Sequence, residues 1–341
     1  AGLISIGLGL VIGPEAPLIA LGAGLGVAIV KLARREAPSQ LLVVVGAAGS
    51  FAALSFVFSS PIIAAIILIE ATGLGKSRLP IVLIPGLTGA AVGSLVSIGM
   101  GSFTGLSSSA YALAPLSLPA FHQPTAGNFG WTIALALAIA LVAHVIRTGG
   151  VLTHRLVKPR LLVLLPVCGL AVSGLAIAFS QISGKGVNEV LFSGQDALSG
   201  LVSGAGTWSL SALALLIVFK GIGYSLSLGA FRGGPTFPAI FLGAAGGIMA
   251  SHLPGFPLAG GVAVGIGAGT VAILRLPLSA VVIATLLTGS AGAGVAPLTI
   301  IGVVVAYLST LGLSAFQTAR TAHASPTEAE GASVSAPAPA L

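Results

Sequence analysis

Residues 13–26 read GPEAPLIALGAGLG and residues 234–247 read GPTFPAIFLGAAGG, identical at eight of fourteen positions at one constant offset. Each stretch opens on Gly-Pro and carries a second proline three residues later, so each reads as the start of a membrane helix. A proline at the first helical position loses no hydrogen bond, and its fixed φ suits the opening turn. A second pair of blocks follows in the same order. SPIIAAIILIEATG (60–73) matches LPLSAVVIATLLTG (276–289), sharing Pro61 with Pro277 and Thr72-Gly73 with Thr288-Gly289. The offsets, 221 and then 216, differ only by a small loop change. Two halves with matching interrupted helices point to a transport pathway whose site lies at the repeat interface near the bilayer midplane.

Composition places that repeat in a membrane. The chain has 341 residues, 56% hydrophobic and only 6% charged, with mean hydropathy +1.12. Soluble domains carry roughly 25% charged residues. Its apolar runs of about 20 residues suit spanning helices, whereas barrel strands would show short alternating segments. The 49 Gly and 20 Pro fit close helix packing and broken helices. The opening residues show no signal-peptide pattern. The single cysteine, Cys168, excludes an internal disulfide framework and reads as a small core residue. The net charge of +7 is spread over Lys31/Arg34/Arg35, Lys76/Arg78 and Arg155/Lys158/Arg160. That placement suits cytoplasmic loops, and it lacks the clustering of a nucleic-acid footprint.

Apolar runs and polar punctuation predict helices near 15–34, 41–58, 61–72, 79–99, 129–147, 160–182, 207–229, 235–252, 258–274, 277–289 and 296–312. Several fall short of a full span, so tilted or half-length helices are expected. The expected organisation is the C-terminal part of a first membrane repeat (1–103), a polar connector containing His122 (104–128), a second membrane repeat (129–316) and a disordered tail (317–341). The second half has about a hundred residues before its Gly-Pro motif and the first half has twelve. By symmetry, some 90–100 residues of the first repeat are expected upstream of Ala1.

The chemistry concentrates at the two Gly-Pro openings. A helix start presents unpaired N–H groups and the positive end of its dipole, and so binds anions. Two such ends meeting in a bilayer would form an anion site without any buried Lys or Arg. Partial charges also let the ion leave, as conduction requires. Gly13, Ala16, Gly234, Thr236 and Phe237 are the candidate anion-binding positions. Glu15 stands where an anion would compete. Desolvation and the helix dipole act on its proton affinity in opposite senses, so protonation could release it and open a gate. The alternative is a helix-start glutamate facing water. Glu70, at the end of AAIILIEATG, reads equally as an internal proton acceptor or as a structural acid bonded to backbone amides. Glu189 and Asp196 flank a Gly/Ser-rich segment and read as loop acids. His144, His154 and His252 lack metal-ligand spacing, so no metal is expected, and no Ser/His pair supports catalysis.

These residues resemble the CLC chloride channels and chloride/proton antiporters. The family's Gly-[Arg/Lys]-Glu-Gly-Pro motif is similar to Gly13-Pro14-Glu15-Ala16-Pro17, with Glu15 at the gating glutamate. Its Gly-x-Phe-x-Pro segment resembles Gly234-Pro235-Thr236-Phe237-Pro238. Its Asn-Ala-Pro and Arg-Ala-Pro-Leu helix openings resemble Ser59-Ser60-Pro61 and Arg275-Leu276-Pro277-Leu278. The resemblance covers most of residues 1–316. It implies an all-α polytopic membrane protein with tilted and broken helices in an inverted repeat. It further implies transport of chloride or another small anion, with protons as a second partner, in a homodimer set in a lipid bilayer, the bacterial plasma membrane being expected.

The chain also departs from that pattern. The family's Gly-Ser-Gly-x-Pro segment would lie upstream of Ala1. Ala16 replaces Gly, Pro14 replaces the basic residue, and Thr236 takes the usual Phe position with Phe237 next to it. Leu313 stands for the tyrosine near the family's last helix, and Ala71, beside Glu70, for the antiporters' internal proton glutamate. The expected function is therefore anion transport past a protonatable Glu15, with no enzyme activity and no cofactor beyond the transported chloride. A fluoride or other halide exchanger and a non-transporting accessory subunit are the alternatives, with an intramembrane enzyme more distant.

Overall fold

The computed structural model describes residues 2–72, 79–105 and 112–324, with side chains as far as Gln317. Gly73, Lys76, Arg78, residues 106–111 of the expected connector and the expected tail from residue 325 onward lie outside the described residues. Among the described residues there is no β-strand, and the chain runs through thirteen α-helices. The first half comprises α1 (Gly2–Gly7), α2 (Glu15–Ala33), α3 (Ser39–Phe58), α4 (Pro61–Thr72) and α5 (Leu79–Thr104). An extended segment then leads to α6 (Ala126–Val157), α7 (Leu161–Ser183), α8 (Gln195–Ser203) and α9 (Leu210–Ala230). The last four are α10 (Thr236–Ala250), α11 (Leu258–Leu274), α12 (Pro277–Leu287) and α13 (Val295–Ala324).

Glycine contacts show that the sequence repeat is also a packing repeat. α2 crosses α3 where Gly22 meets Gly49, so closely that a Cβ on either would strike the other's carbonyl oxygen. α10 crosses α11 in the same way through Gly243 and Gly265. One turn further on, Gly26 faces the carbonyl of Val45 and Gly247 that of Gly261. These pairs are related by the sequence offsets, 221 for α2 and α10 and 216 for α3 and α11. Small residues let backbones approach where lipid provides no hydrophobic drive. The ends match too. Ser59 closes α3 at φ 48° and Arg275 closes α11 at φ 60°, both left-handed non-glycine caps. Pro61 and Pro277 follow two residues later, where proline stops one helix and opens the next.

The surface is that of a membrane protein. Leu32, Phe103 and Leu162 are 86%, 90% and 93% exposed, and apolar side chains cover the outer faces of α2, α5, α6, α7 and α13. Among the described residues, six stretches are long and apolar enough to span a bilayer. α4, α10, α11 and α12 are shorter apolar helices, as the broken-helix expectation requires. The two halves are covered unequally. Every residue of α10 except Met249 is buried beneath α6, α8, α9 and α11. In α2, its counterpart, only Glu15 is buried.

Several elements differ from the sequence reading. α6 reaches Val157, ten residues beyond the predicted end. The polar residues His144, Arg147, Thr148 and His154 lie inside it, because Gly150 packs against Ser225 and Gly229 of α9. It also begins at Ala126, inside the expected connector, where Thr125 and Asn128 form a reciprocal capping box. Asp196 is in the first turn of α8, not in a loop; Leu198, Leu201 and Val202 bury one face of that short helix. Glu189 sits in a 3-10 turn, Val187–Glu189. α13 continues to Ala324, into the segment expected to be tail.

The packing repeat separates two neighbouring glycines of α2. Gly22→Ala is expected to destabilise the protein by about 1–3 kcal/mol, the usual cost of overpacking. Gly24→Ala, where nothing lies within 4 Å of an added Cβ, should leave stability unchanged or slightly improved. Thermal unfolding of both variants in the same detergent checks the difference.

Candidate functional site

The two Gly-Pro openings meet. Gly13 N–H donates to Gly234 O and Gly234 N–H donates to Gly13 O, both at 2.7 Å, in an isolated antiparallel bridge. Immediately beyond, Pro14 (φ −81°, ψ −10°) and Pro235 (φ −90°, ψ −7°) lead into α2 and α10 with nearly the same backbone. The start of each helix thus lies beside the other, and the positive ends of both dipoles point into one small volume. Glycine is needed on both sides. A Cβ on Gly13 or on Gly234 would occupy the space of the Glu15 carboxyl group.

Glu15 is 4% exposed. Its Oε1 accepts a 2.5 Å hydrogen bond from the backbone N–H of Thr236, the first residue of α10. Its Oε2 is buried without a hydrogen-bond partner. The carboxyl group of one repeat therefore sits on the helix end of the other, where an anion would sit. Gly13, Gly234, Thr236 and Phe237 are all buried around it, while the side chain of Ala16 is exposed on the other side of α2. Phe237 stacks on Phe58 at the end of α3, with ring centroids 5.2 Å apart and planes 17° from parallel.

α9 fixes the irregular backbone on both sides of the bridge. Ser227 Oγ accepts from Val11 N–H at 3.1 Å, and the Tyr224 hydroxyl donates to Pro235 O at 2.5 Å. Sequence reading missed both residues. The signal available was a polar run, Tyr-Ser-Leu-Ser, inside an otherwise apolar helix.

Lys220, one turn earlier in α9, was also missed, and it corrects the view that the basic residues lie in loops. It is fully buried, and its Nζ donates to the carbonyls of Glu189, Val190, Leu191 and Phe192 at 2.9–3.3 Å. It also lies 4.4 Å from the ring centroid of Phe241. Burial pushes the Glu189 carboxyl above its ordinary range, against the opposing pull of the Lys220 and Lys185 charges. A lysine within LALLIVFKGIGY was the readable signal.

Glu70 lies elsewhere. It stands about 14 Å along the axis of α4 from Pro61, from the rise of an α-helix. Its Oε1 accepts from Leu278 N–H at 2.9 Å, and its Oε2 accepts from Ser279 N–H at 2.7 Å and the Ser279 hydroxyl at 2.6 Å. It caps the start of α12 across the repeat boundary. Ala71 is exposed and Leu313 is half-buried on α13. His154 and His252 each bond a backbone carbonyl at 3.1 Å, and the described residues hold no group of three or more potential metal ligands.

Comparison with known proteins bears on the fold and the family. Curated relatives in Escherichia coli and Shigella boydii serotype 4, both named "Putative ion-transport protein YfeO", are 31% identical over 260 residues. That alignment covers 74% of this chain and 56% of each relative, so the chain spans little more than half their length. Two solved structures share the fold. A slow cyanobacterial Cl−/H+ antiporter superposes with TM-score 0.70 at 18% identity, over 91% of this chain and 70% of that one. A CLC-type fluoride/proton antiporter superposes with TM-score 0.63 at 20% identity, over 88% and 70%. The profile described as voltage gated chloride channel matches residues 1–310, and the chain belongs to that family.

Proposed function

We propose that this protein carries small anions, chloride foremost, across a bacterial plasma membrane, with Glu15 as a protonatable gate. The observation that supports this is the seat of the Glu15 carboxyl group on the Thr236 amide. A carboxylate and a halide ion are alternative anionic occupants of one helix end. When Glu15 is charged it holds the seat and blocks it. Protonation removes the charge, weakens the bond to the amide and frees the side chain to leave, and an anion takes its place. The partial charges of two helix ends attract the ion without the grip of a full cation, so it moves on.

The relatives are named for ion transport, and the two structural neighbours are titled Cl−/H+ and fluoride/proton antiporters, which supports anion exchange with protons as the partner ion. The protein functions in this reading as a homodimer with one pathway per subunit, without an enzymatic step or cofactor. Fluoride is the second substrate reading, favoured by its antiporter's similar fold.

Anion efflux from chloride-loaded liposomes tests the gate. Wild-type flux should rise as the pH falls through the carboxyl group's titration. Glu15→Gln should remove that pH dependence and abolish coupled proton uptake. A charged hydrogen bond of about 1.5–3 kcal/mol holds the seat, so a change in flux of roughly tenfold or more at neutral pH is expected. Equal fluxes and equal pH profiles for the two proteins would remove Glu15 from the mechanism.

In the same reading Glu70 braces α12, and the proton path from Glu15 does not pass through it. Glu70→Ala strands the amides of Leu278 and Ser279 and should cost about 1–3 kcal/mol of stability. Glu70→Gln keeps one acceptor and should lie between wild type and Glu70→Ala. Neither should change the ratio of protons to anions moved. A Glu70→Gln protein with wild-type melting temperature but no proton uptake would make Glu70 a relay instead.

A further inference from the structure

The C-terminal parts of α6, α11 and α13 border an open cavity of about 400 Å³, lined by His144, Arg147, Thr148, Arg155, Arg275 and Ser314 among others. Three guanidinium groups line it, and among the described residues no carboxylate does. Two of the three are tied inward to the protein. Arg147 Nη1 donates to Ala272 O at 3.4 Å, near the end of α11, and Arg275 Nη2 donates to Ser314 Oγ at 2.5 Å. Arg275 Nε is buried without a partner. Arg147 and Arg275 are close enough for their charges to repel. Arginines that only reach for water from a membrane helix would extend separately toward the surface. Here like charges are held together around a cavity, and an unpartnered donor remains beside it. An anion in the cavity would offset that repulsion.

The size and charge of the cavity restrict the ligand. A monatomic ion would occupy only a small part of 400 Å³. Three full charges would also retain it too firmly for passage. Planar guanidinium forks match the oxygens of a phosphate group, and Thr148 adds a hydroxyl to the lining. Among the described residues, the one apolar residue in the lining is Val151. It is 54% exposed, and Leu152 at 57% and Val145 at 61% are exposed apolar residues nearby on α6. We infer that this cavity binds a phosphate group, carried by an anionic membrane lipid or free in solution. The inference is independent of what passes Glu15.

The test uses the full chain in neutral detergent, with melting temperature followed in separate titrations of phosphatidylglycerol, phosphatidylcholine and inorganic phosphate. A saturable rise with phosphatidylglycerol or with phosphate, and none with phosphatidylcholine, is the expected result. Response to phosphatidylglycerol alone assigns the group to a lipid headgroup; response to phosphate alone assigns it to the free ion. Arg155 is exposed, so Arg155→Gln should fold normally while shifting the midpoint about tenfold, the loss of one charged contact. Arg155→Lys should recover part of that loss. Arg147→Gln is the second variant, and Arg155→Gln decides alone if it misfolds. The proposal falls if neither phosphatidylglycerol nor phosphate acts, if phosphatidylcholine acts equally, or if the variants keep the wild-type midpoint. It falls as well if Arg155→Gln lowers chloride flux while leaving both titrations unchanged, because the cavity would then belong to the conduction path.

Discussion

Two backbone hydrogen bonds, Gly13 to Gly234 in both directions, hold the molecule's most costly arrangement in place. Irregular backbone inside a bilayer has no water to bond with, and each unpaired group costs several kcal/mol. The residues before α2 and α10 avoid that cost by pairing with each other across the repeat. The pairing requires two glycines, because a side chain on either would fill the space of the Glu15 carboxyl group. It also requires α9, whose Ser227 and Tyr224 bond the backbone on either side of the bridge. Fold and site are therefore one constraint. This contact between the two halves also brings their helix ends to a common point.

Electrostatics then depends on which positive groups remain open. Lys220 is the only fully buried residue among the basic residues described, and four carbonyl oxygens surround its Nζ. Those carbonyls belong to the segment between α7 and α8, so the lysine fixes loop geometry and its donors are occupied there. The helix starts at Glu15 and Thr236 carry partial positive charge, and the Glu15 carboxyl group engages the second of them. Such partial charges are weak and directional, which supports the proposed site, one that must be vacated as readily as it is filled.

What could be read from the sequence was whatever repeated or stood out chemically. Glu15 was visible as a lone acid in an apolar run, and the Gly13/Gly234 equivalence followed from the offset of 221. The broken helices followed from Pro61 and Pro277. The glycine contacts between α2 and α3 and between α10 and α11 were encoded at both offsets, but composition alone reads those glycines as generic small residues. The length of α6 was hidden because Arg147 and His154 look like a helix end; only the packing of Gly150 on α9 shows otherwise. α8 was hidden because Gly, Ser and Gln favour a turn locally, and three buried aliphatic side chains override that preference. Lys220 was legible in principle, as a charge within a span, yet its partners are main-chain carbonyls about thirty residues away and leave no trace in side-chain identity.

The difference between the repeats falls at the point where their helix ends meet. Thr236 occupies the position of Glu15 in the second copy, and its amide is the group that Glu15 engages. Were both positions acidic, two carboxylates would face one pair of helix ends, and mutual repulsion would keep one of them neutral or displaced. With one acid the proposed mechanism has two well-defined conditions: the seat is filled by the protein's own carboxylate, as in this structure, or it is open to an external anion. The near-identical backbone at Pro14 and Pro235 shows that the duplicated geometry was retained while the chemistry diverged. Pseudo-symmetry provides two equivalent helix ends, and a single substitution between the copies makes one of them the seat and the other the carrier of its occupant.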